Sequence, residues 1–406
     1  MLFKRKSTVV FSRSYQLLLV VAIAVGAVLL TQYENEKKVL EPLEDNWESA
    51  IKYQHIPDGL NSLSAESCGA CHQDHYKEWQ RSTHSQAWTD AQFQVELQKE
   101  SSPYLCINCH IPLENQQEYF IDGLWNGDIY DPAKRKNPYF DKKLQQEGIT
   151  CAACHVRDNM IIGPTGTDKA PHATKKDVDH LSYNLCISCH NANATVTPTL
   201  ACTFETGDEW KAGPYFGKKD CISCHMQDTV RSIVPGYDPR VSHYHAFPGS
   251  GIPKSPHHNP DTLNGLDIQL SEVPLRYKKG DLLDIDLTAI NAHAGHRVPS
   301  GDPERFMEFI FELKDINGKL LASQRDTIGE KWEWYPIAKK IMDNNLDPLY
   351  SRTYNFKKKL NYSGELRLYI TVKKHRLNEK SARYNKLGKD YPLFITIYEQ
   401  EFRIVE

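Results

Sequence analysis

Ten of the eleven cysteines in this 406-residue chain stand in five copies of one pattern, Cys-x-x-Cys-His. The copies are Cys68–His72 (CGACH), Cys106–His110 (CINCH), Cys151–His155 (CAACH), Cys186–His190 (CISCH) and Cys221–His225 (CISCH). Two thiols at that spacing, followed at once by an imidazole, form the attachment site of c-type haem. The thiols make thioethers with the vinyl groups, and the adjacent histidine ligates the iron from one face. Independent draws from the composition would place roughly 0.01 copies in a chain of this length. Zinc ribbons also use Cys-x-x-Cys, but a zinc site has no reason to set histidine directly after the second cysteine every time. The pattern predicts five covalently bound c-type haems, held through Cys68, Cys71, Cys106, Cys109, Cys151, Cys154, Cys186, Cys189, Cys221 and Cys224. His72, His110, His155, His190 and His225 are the proximal ligands.

The second axial positions need donors as well. Of the seventeen histidines, twelve lie outside the motifs, so supply exceeds the demand of five irons and the count forces none of them open. Met226 follows His225 directly and cannot reach the far face of its own haem, and Met160, Met307 and Met342 have no motif around them. Mostly bis-histidine, low-potential haems are expected. In Val241-Ser-His243-Tyr-His245-Ala-Phe-Pro-Gly249, a histidine and aromatic cluster ending in turn residues, either His243 or His245 is expected to serve the haem of His190 or His225. His257 and His258 look like an exposed linker pair, and His55 like a surface residue. Cys202, the one cysteine outside the motifs, fits a small buried residue, a reactive thiol or an intermolecular bond, and nothing near it decides.

The first motif opens a longer signature. Cys68 to His72 is followed by Trp79, then Ser82-Thr83-His84, then Ala87, and this resembles the opening of the cytochrome c-554 family. The resemblance continues through Asn108-Cys109-His110 and Gly148-Ile149-Thr150-Cys151 to the motif at Cys186, about half the chain. That family is tetrahaem and is related in haem arrangement to hydroxylamine oxidoreductase and to pentahaem nitrite reductase. The resemblance implies that His84 ligates the iron held by His155, that His172 or His180 ligates the iron held by His72, and that the second haem lacks a strong distal ligand. The fifth motif and everything beyond Pro260 depart from the family pattern, which puts the open second haem in doubt here.

Several elements must position these residues. Lys4, Arg5, Lys6 and Arg13 precede the apolar run Leu17 to Leu30, the charge order of a signal anchor that keeps its start in the cytoplasm. Residues 1–33 are therefore expected to be an anchor, although Ala22-Ile23-Ala24 leaves a cleaved signal peptide open. Residues 34–62 read as a mixed-charge tether interrupted by Pro42 and Pro57. Residues 63–260 form the haem module, with about 40 residues per haem, too few for a conventional core. Short helices and long loops are expected there, the best being Gln73 to Val95, which lacks Pro and Gly and sets His84 and Trp88 on one face.

From residue 261 to 406 the pattern changes. Leu282–Ile290, Glu365–Val372 and Leu393–Tyr398 alternate apolar and polar residues, Phe306–Leu313 is a further strand, and Asn317-Gly318 signals a hairpin. Six or seven such strands suggest an immunoglobulin-like sandwich. The fold class is thus mixed: a mainly α and irregular multihaem module followed by an all-β sandwich. Within the sandwich, Gly295-His296-Arg297-Val298-Pro299-Ser300-Gly301 resembles the G-H-x-x-P-x-G loop of sandwich domains fused to multihaem cytochromes. It reads either as a rigid turn or as a loop that delivers His296 to a haem, with Arg297 free to pair with a propionate.

A net charge of −3 leaves no footprint for nucleic acid. Covalent haem attachment takes place outside the bacterial cytoplasm, so the chain is expected on the periplasmic side of the cytoplasmic membrane. The reading that follows is an electron-transfer cytochrome whose redox partners are quinol-linked membrane donors or periplasmic cytochromes. An enzyme acting on a small nitrogen or sulfur compound at one five-coordinate haem is the alternative. All five motifs end in His, so the Cys-x-x-Cys-Lys site of pentahaem nitrite reductases is absent. A non-redox sensor or adhesion module is a third, weaker reading.

Overall fold

The computed structural model describes residues 38–44, 48–99, 103–197 and 200–406. The Leu17–Leu30 segment and the residues before it lie outside the described residues, as does part of the tether. Among the described residues no helix is long and apolar enough to cross a membrane.

The N-terminal half is built from short pieces. Its helices include Ala65–Gly69, Gln73–Arg81, Ala91–Leu97, Tyr104–His110, Cys151–His155, Tyr183–His190 and Cys221–His225. Every Cys-x-x-Cys-His motif thus begins or lies on a short helix, and local caps fix where several of these start. Ser64 Oγ accepts from Ser67 N, Ser182 Oγ from Asn184 N, and Asp220 exchanges hydrogen bonds with Ser223. Small ribbons fill the gaps: β1 (Leu40–Glu41), β2 (Tyr119–Trp125) and β3 (Pro132–Lys136) in one sheet, and β4 (Val156–Arg157), β5 (Met160–Gly163) and β6 (Thr174–Lys176) in another. Two hairpins complete the set, β7 (Ala192–Thr197) with β8 (Leu200–Phe204) and β9 (Asp228–Arg231) with β10 (Arg240–His243). Apolar burial is correspondingly thin, in clusters as small as Leu63, Leu113, Leu144, Ala152 and Val156.

The long helix expected over Gln73 to Val95 is broken in two. Gln73–Arg81 stops at Ser82, whose hydroxyl donates to Trp79 O at 2.7 Å, and a second helix begins only after Asp90. Residues 83–89 form turns, so His84 sits on a turn and not on a helix face. A local side-chain bond to the backbone ended the helix without any Pro or Gly, which a breaker scan does not see.

Eight strands follow: β11 (Leu266–Leu270), β12 (Leu282–Asn291), β13 (Phe306–Asp315), β14 (Leu320–Glu333), β15 (Lys339–Asp343), β16 (Ser351–Lys359), β17 (Leu366–His375) and β18 (Phe394–Ile404). They form two antiparallel sheets, β11-β12-β16 and β15-β14-β13-β17-β18, that share one core. Alternation does the sorting. Leu283, Ile285, Leu287 and Ala289 of β12 and Leu366, Leu368, Ile370 and Val372 of β17 are fully buried. Phe311 stacks on Phe356 with ring centroids 5.3 Å apart, and Phe309 on Tyr354 at 4.4 Å, which ties β13 of one sheet to β16 of the other.

Phe311 is fully buried in this core. Phe311→Ala should therefore destabilise the sandwich by about 3–5 kcal/mol, read as a lower denaturant midpoint. Haem content should be unchanged, because no Cys-x-x-Cys-His motif lies in the sandwich. An unmoved midpoint would contradict this packing.

Candidate haem-binding site

Each motif histidine can be asked what faces it. A metal–imidazole nitrogen bond is about 2.0 Å and that nitrogen lies roughly 1.15 Å from the ring centre, so two imidazoles on opposite faces of one iron have centroids about 6.3 Å apart. Four motif histidines have such a neighbour. His72 lies 6.4 Å from His172, His190 6.3 Å from His84, His155 6.1 Å from His245, and His225 6.4 Å from His296.

Distance alone does not decide a pair. His75 also lies 6.0 Å from His72, but it is three residues along the same helix and its Nε2 is engaged by Ser242 Oγ at 2.9 Å. In the pairs the tautomer is set differently. His155 Nδ1 donates to Ile162 O at 2.9 Å, His225 Nδ1 to Pro248 O at 2.7 Å, His245 Nδ1 to His243 O at 2.7 Å and His296 Nδ1 to Arg297 O at 2.8 Å. Each bond commits Nδ1 to the backbone and leaves the Nε2 lone pair for a metal. Burial pushes His84 and His296 down to about 4 and His190 and His245 to about 3, so these imidazoles are neutral at pH 7, the form that ligates. The donor set fits haem iron.

Specific contacts deliver each partner. The His84 turn rests on Gly148: Ile149 N donates to His84 O at 3.1 Å, and a Cβ on Gly148 would lie 2.7 Å from that oxygen. Gly59 does the same for the His172 loop, where a Cβ would collide with Pro171 O at 1.8 Å. His245 is fixed by its backbone N donating to Glu78 Oε2 at 2.8 Å, with Glu78 itself paired to Arg231. His296 comes from the sandwich, on the loop between β12 and β13, where Gly301 takes φ +86° and Ser300 Oγ donates to Glu209 Oε2 at 2.7 Å.

Several sequence expectations need correction. His84 faces His190, not His155; the turn at Ser82 redirects it. His243 is not brought opposite a motif histidine: its Nδ1 donates to Met226 O at 3.1 Å, the Asp228 carboxylate lies 3.2 Å away, and the side chain is 43% exposed. His245, two residues on, faces His155, whereas His190 or His225 had been expected. His180 donates to Cys154 O, and His258 is half-buried between Lys254 N and Arg81 O, unlike an exposed linker residue. Arg297 pairs with Asp343 at 2.7 Å.

His110 is the exception among the motif histidines. Its Nδ1 donates to Ala87 O at 2.7 Å, yet among the described residues no second histidine ring faces it. Phe93 stacks flat on the face of the His110 ring, with centroids 3.6 Å apart and planes 4° from parallel, and so braces the proximal imidazole from the side.

The motifs are also close to one another. The Cys68 thiol lies close to Cys151, Cys109 to Cys189, and Cys186 to Cys221. Cys154 lies within electrostatic range of Cys189, so all five attachment points form one connected set. Cys202 is likewise near Cys109.

A family profile described as cytochrome c554 and c-prime matches residues 67–124, which hold the first two motifs. The crystal structure of a penta-haem cytochrome c552 from Thermochromatium tepidum superposes with a TM-score of 0.59 at 16% identity, covering 86% of this chain and 100% of that one. The chain resembles a multihaem cytochrome c in sequence and in fold. Residues 1–260 are less than two thirds of the chain, so the likeness to the penta-haem cytochrome runs on into the sandwich. A CARDB domain from Pyrococcus furiosus, 15% identical, covers 36% of the chain and 90% of its own length, with a TM-score of only 0.19. A search of curated proteins finds no match.

In this multihaem cytochrome fold, His296→Ala should convert one low-spin haem to high spin, seen by electron paramagnetic resonance, with the covalent haem count retained. His243→Ala should leave the spectrum as it is. A low-spin count unchanged from wild type in His296→Ala would show that the loop serves only as a turn.

Proposed function

We propose that the chain carries five covalent haems and serves as an electron-transfer cytochrome. Four haems are held between two imidazoles each: His72 with His172, His190 with His84, His155 with His245, and His225 with His296. The observation that carries this reading is the separation of 6.1–6.4 Å in all four pairs. When bound, the haems supply one-electron redox centres, and two neutral imidazole ligands bias them toward low potential. The chain's own residues clamp and orient the ligands: backbone carbonyls lock the ring tautomers of His155, His225, His245 and His296, Glu78 and Gly148 fix two of the loops, and the contacts between motif cysteines keep the attachment points adjacent.

The Leu17–Leu30 segment supports a place on the periplasmic side of the cytoplasmic membrane, reached through an N-terminal anchor. Quinol-linked membrane donors and periplasmic cytochromes are the partners this location offers.

A second reading is favoured by one observation. Among the described residues no second imidazole is placed about 6 Å from His110, as one is for the other four motif histidines, so the haem of the second motif is proposed to have an exchangeable sixth position where a small nitrogen or sulfur compound could be reduced or oxidised.

Mass spectrometry of the mature protein should show five haems, with Cys202 free of haem, and the reduced protein should bind one carbon monoxide per chain. Four or fewer haems in a well-matured sample would overturn the count. Five haems with no carbon monoxide bound would remove the second reading and leave pure electron transfer.

A further inference from the structure

Where the sandwich meets the haem module, buried positive charge exceeds buried negative charge. Asp90, 3% exposed, lies three residues past Ala87, whose carbonyl holds His110. Its carboxylate accepts from Lys254 Nζ at 2.5 Å and Tyr391 OH at 2.6 Å, and Arg376 Nη1 lies 3.4 Å away. Arg376, 6% exposed, also donates to Ile252 O and Pro253 O, both at 2.9 Å. Arg305 lies within electrostatic range of both Lys254 and Arg376, and its Nη1 donates to Ser300 O at 3.1 Å.

Lys254, Arg376 and Arg305 therefore outnumber the carboxylates that face them, Asp90, whose two oxygens already serve three donors, and Asp302, which acts on Arg305. The neighbouring Glu304 is turned toward Ser381, Glu96 and Lys99. Burying a cation without a matching anion costs several kcal/mol, so the site calls for further negative charge. Haem ligands lie within electrostatic range of these cations: Lys254 acts on His110, and Arg305 acts on both His190 and His296.

We infer that Lys254 and Arg305 bind haem propionates, those of the haems attached at His110 and His190, and that Asp90, Arg376 and Tyr391 hold Lys254 in place for that task. The ligand class is a carboxylate carried by the cofactor. The inference rests on haem attachment at these two motifs, as proposed above. It makes the sandwich part of the haem site through charge as well as through His296, because Arg305, Arg376 and Tyr391 all come from the sandwich. A guanidinium or ammonium against a propionate favours the reduced, more negative haem less than a free cation would, but more than no cation, so removing it lowers the potential.

The test is a potentiometric titration of the purified holoprotein, followed optically at several pH values, with haem content measured on the same samples. Lys254→Gln and Arg305→Gln should each lower the midpoint of one haem and make it pH-dependent, as a propionate left without its partner takes up a proton. Lys254→Arg and Arg305→Lys should keep both values close to wild type. Glutamine variants with full haem content and unchanged midpoints at every pH would overturn the inference. A wild-type protein lacking haem at the second or fourth motif would instead overturn the reading beneath it. If a glutamine variant does not accumulate, reduced-minus-oxidised infrared spectra of wild type decide. Propionates that stay ionised at mildly acidic pH agree with the pairing, and a protonated carboxyl signal there contradicts it. A third arm adds nitrite: a spectral response in wild type that Lys254→Gln abolishes with all midpoints unchanged would assign the cations to a free oxyanion and overturn the propionate assignment.

Discussion

The structure depends on a gap. An iron ligated on both faces needs two imidazoles with their centres about 6.3 Å apart, and nothing in a five-residue motif can supply both. The second ring must come from elsewhere in the chain. His172 lies 100 residues from His72, His84 lies 106 from His190, His245 lies 90 from His155 and His296 lies 71 from His225. These long-range pairings cross-link a module whose own apolar core is thin, and they account for the loops being specified so tightly. Gly59 and Gly148 leave space where a side chain would push a ligand-bearing turn away.

The same constraint gives the sandwich a reason to be present. Its core of alternating strands is independent of the motifs, which makes it a rigid mount. The loop between β12 and β13 leaves that mount carrying His296 and Arg305, and the end of β17 carries Arg376 to Asp90 at the seam. A turn anchored at both ends by strands holds a ligand more firmly than the irregular segments of the module could.

Much of this was legible in the residues. The motifs announce the cofactor because two thiols and an imidazole at that spacing have few other uses, and β12, β13 and β17 announce themselves by alternation. Strand β16, Ser351–Lys359, was not read, because Arg352 and Lys358 stand on the same face as Tyr354 and Phe356, so that only two of its inward positions are apolar. The ligand partners were harder. A histidine's role is decided by which carbonyl takes its Nδ1 proton and by where a turn aims it, and both are tertiary facts. Ser82 ended a helix by a single side-chain bond and sent His84 to His190. His243 and His245 differ in sequence by two places, yet one donates to Met226 O near an exposed carboxylate while the other faces His155. The seam cluster of Asp90, Lys254, Arg376 and Tyr391 joins residues up to 301 positions apart, and no local pattern marks it.

The central claim is that four motif histidines have an imidazole partner and His110 does not. Quantitative electron paramagnetic resonance of the fully oxidised wild-type protein tests it most directly. The account predicts low-spin signals integrating to four haems per chain and a high-spin signal integrating to one. Five low-spin haems, or more than one high-spin haem, would contradict it.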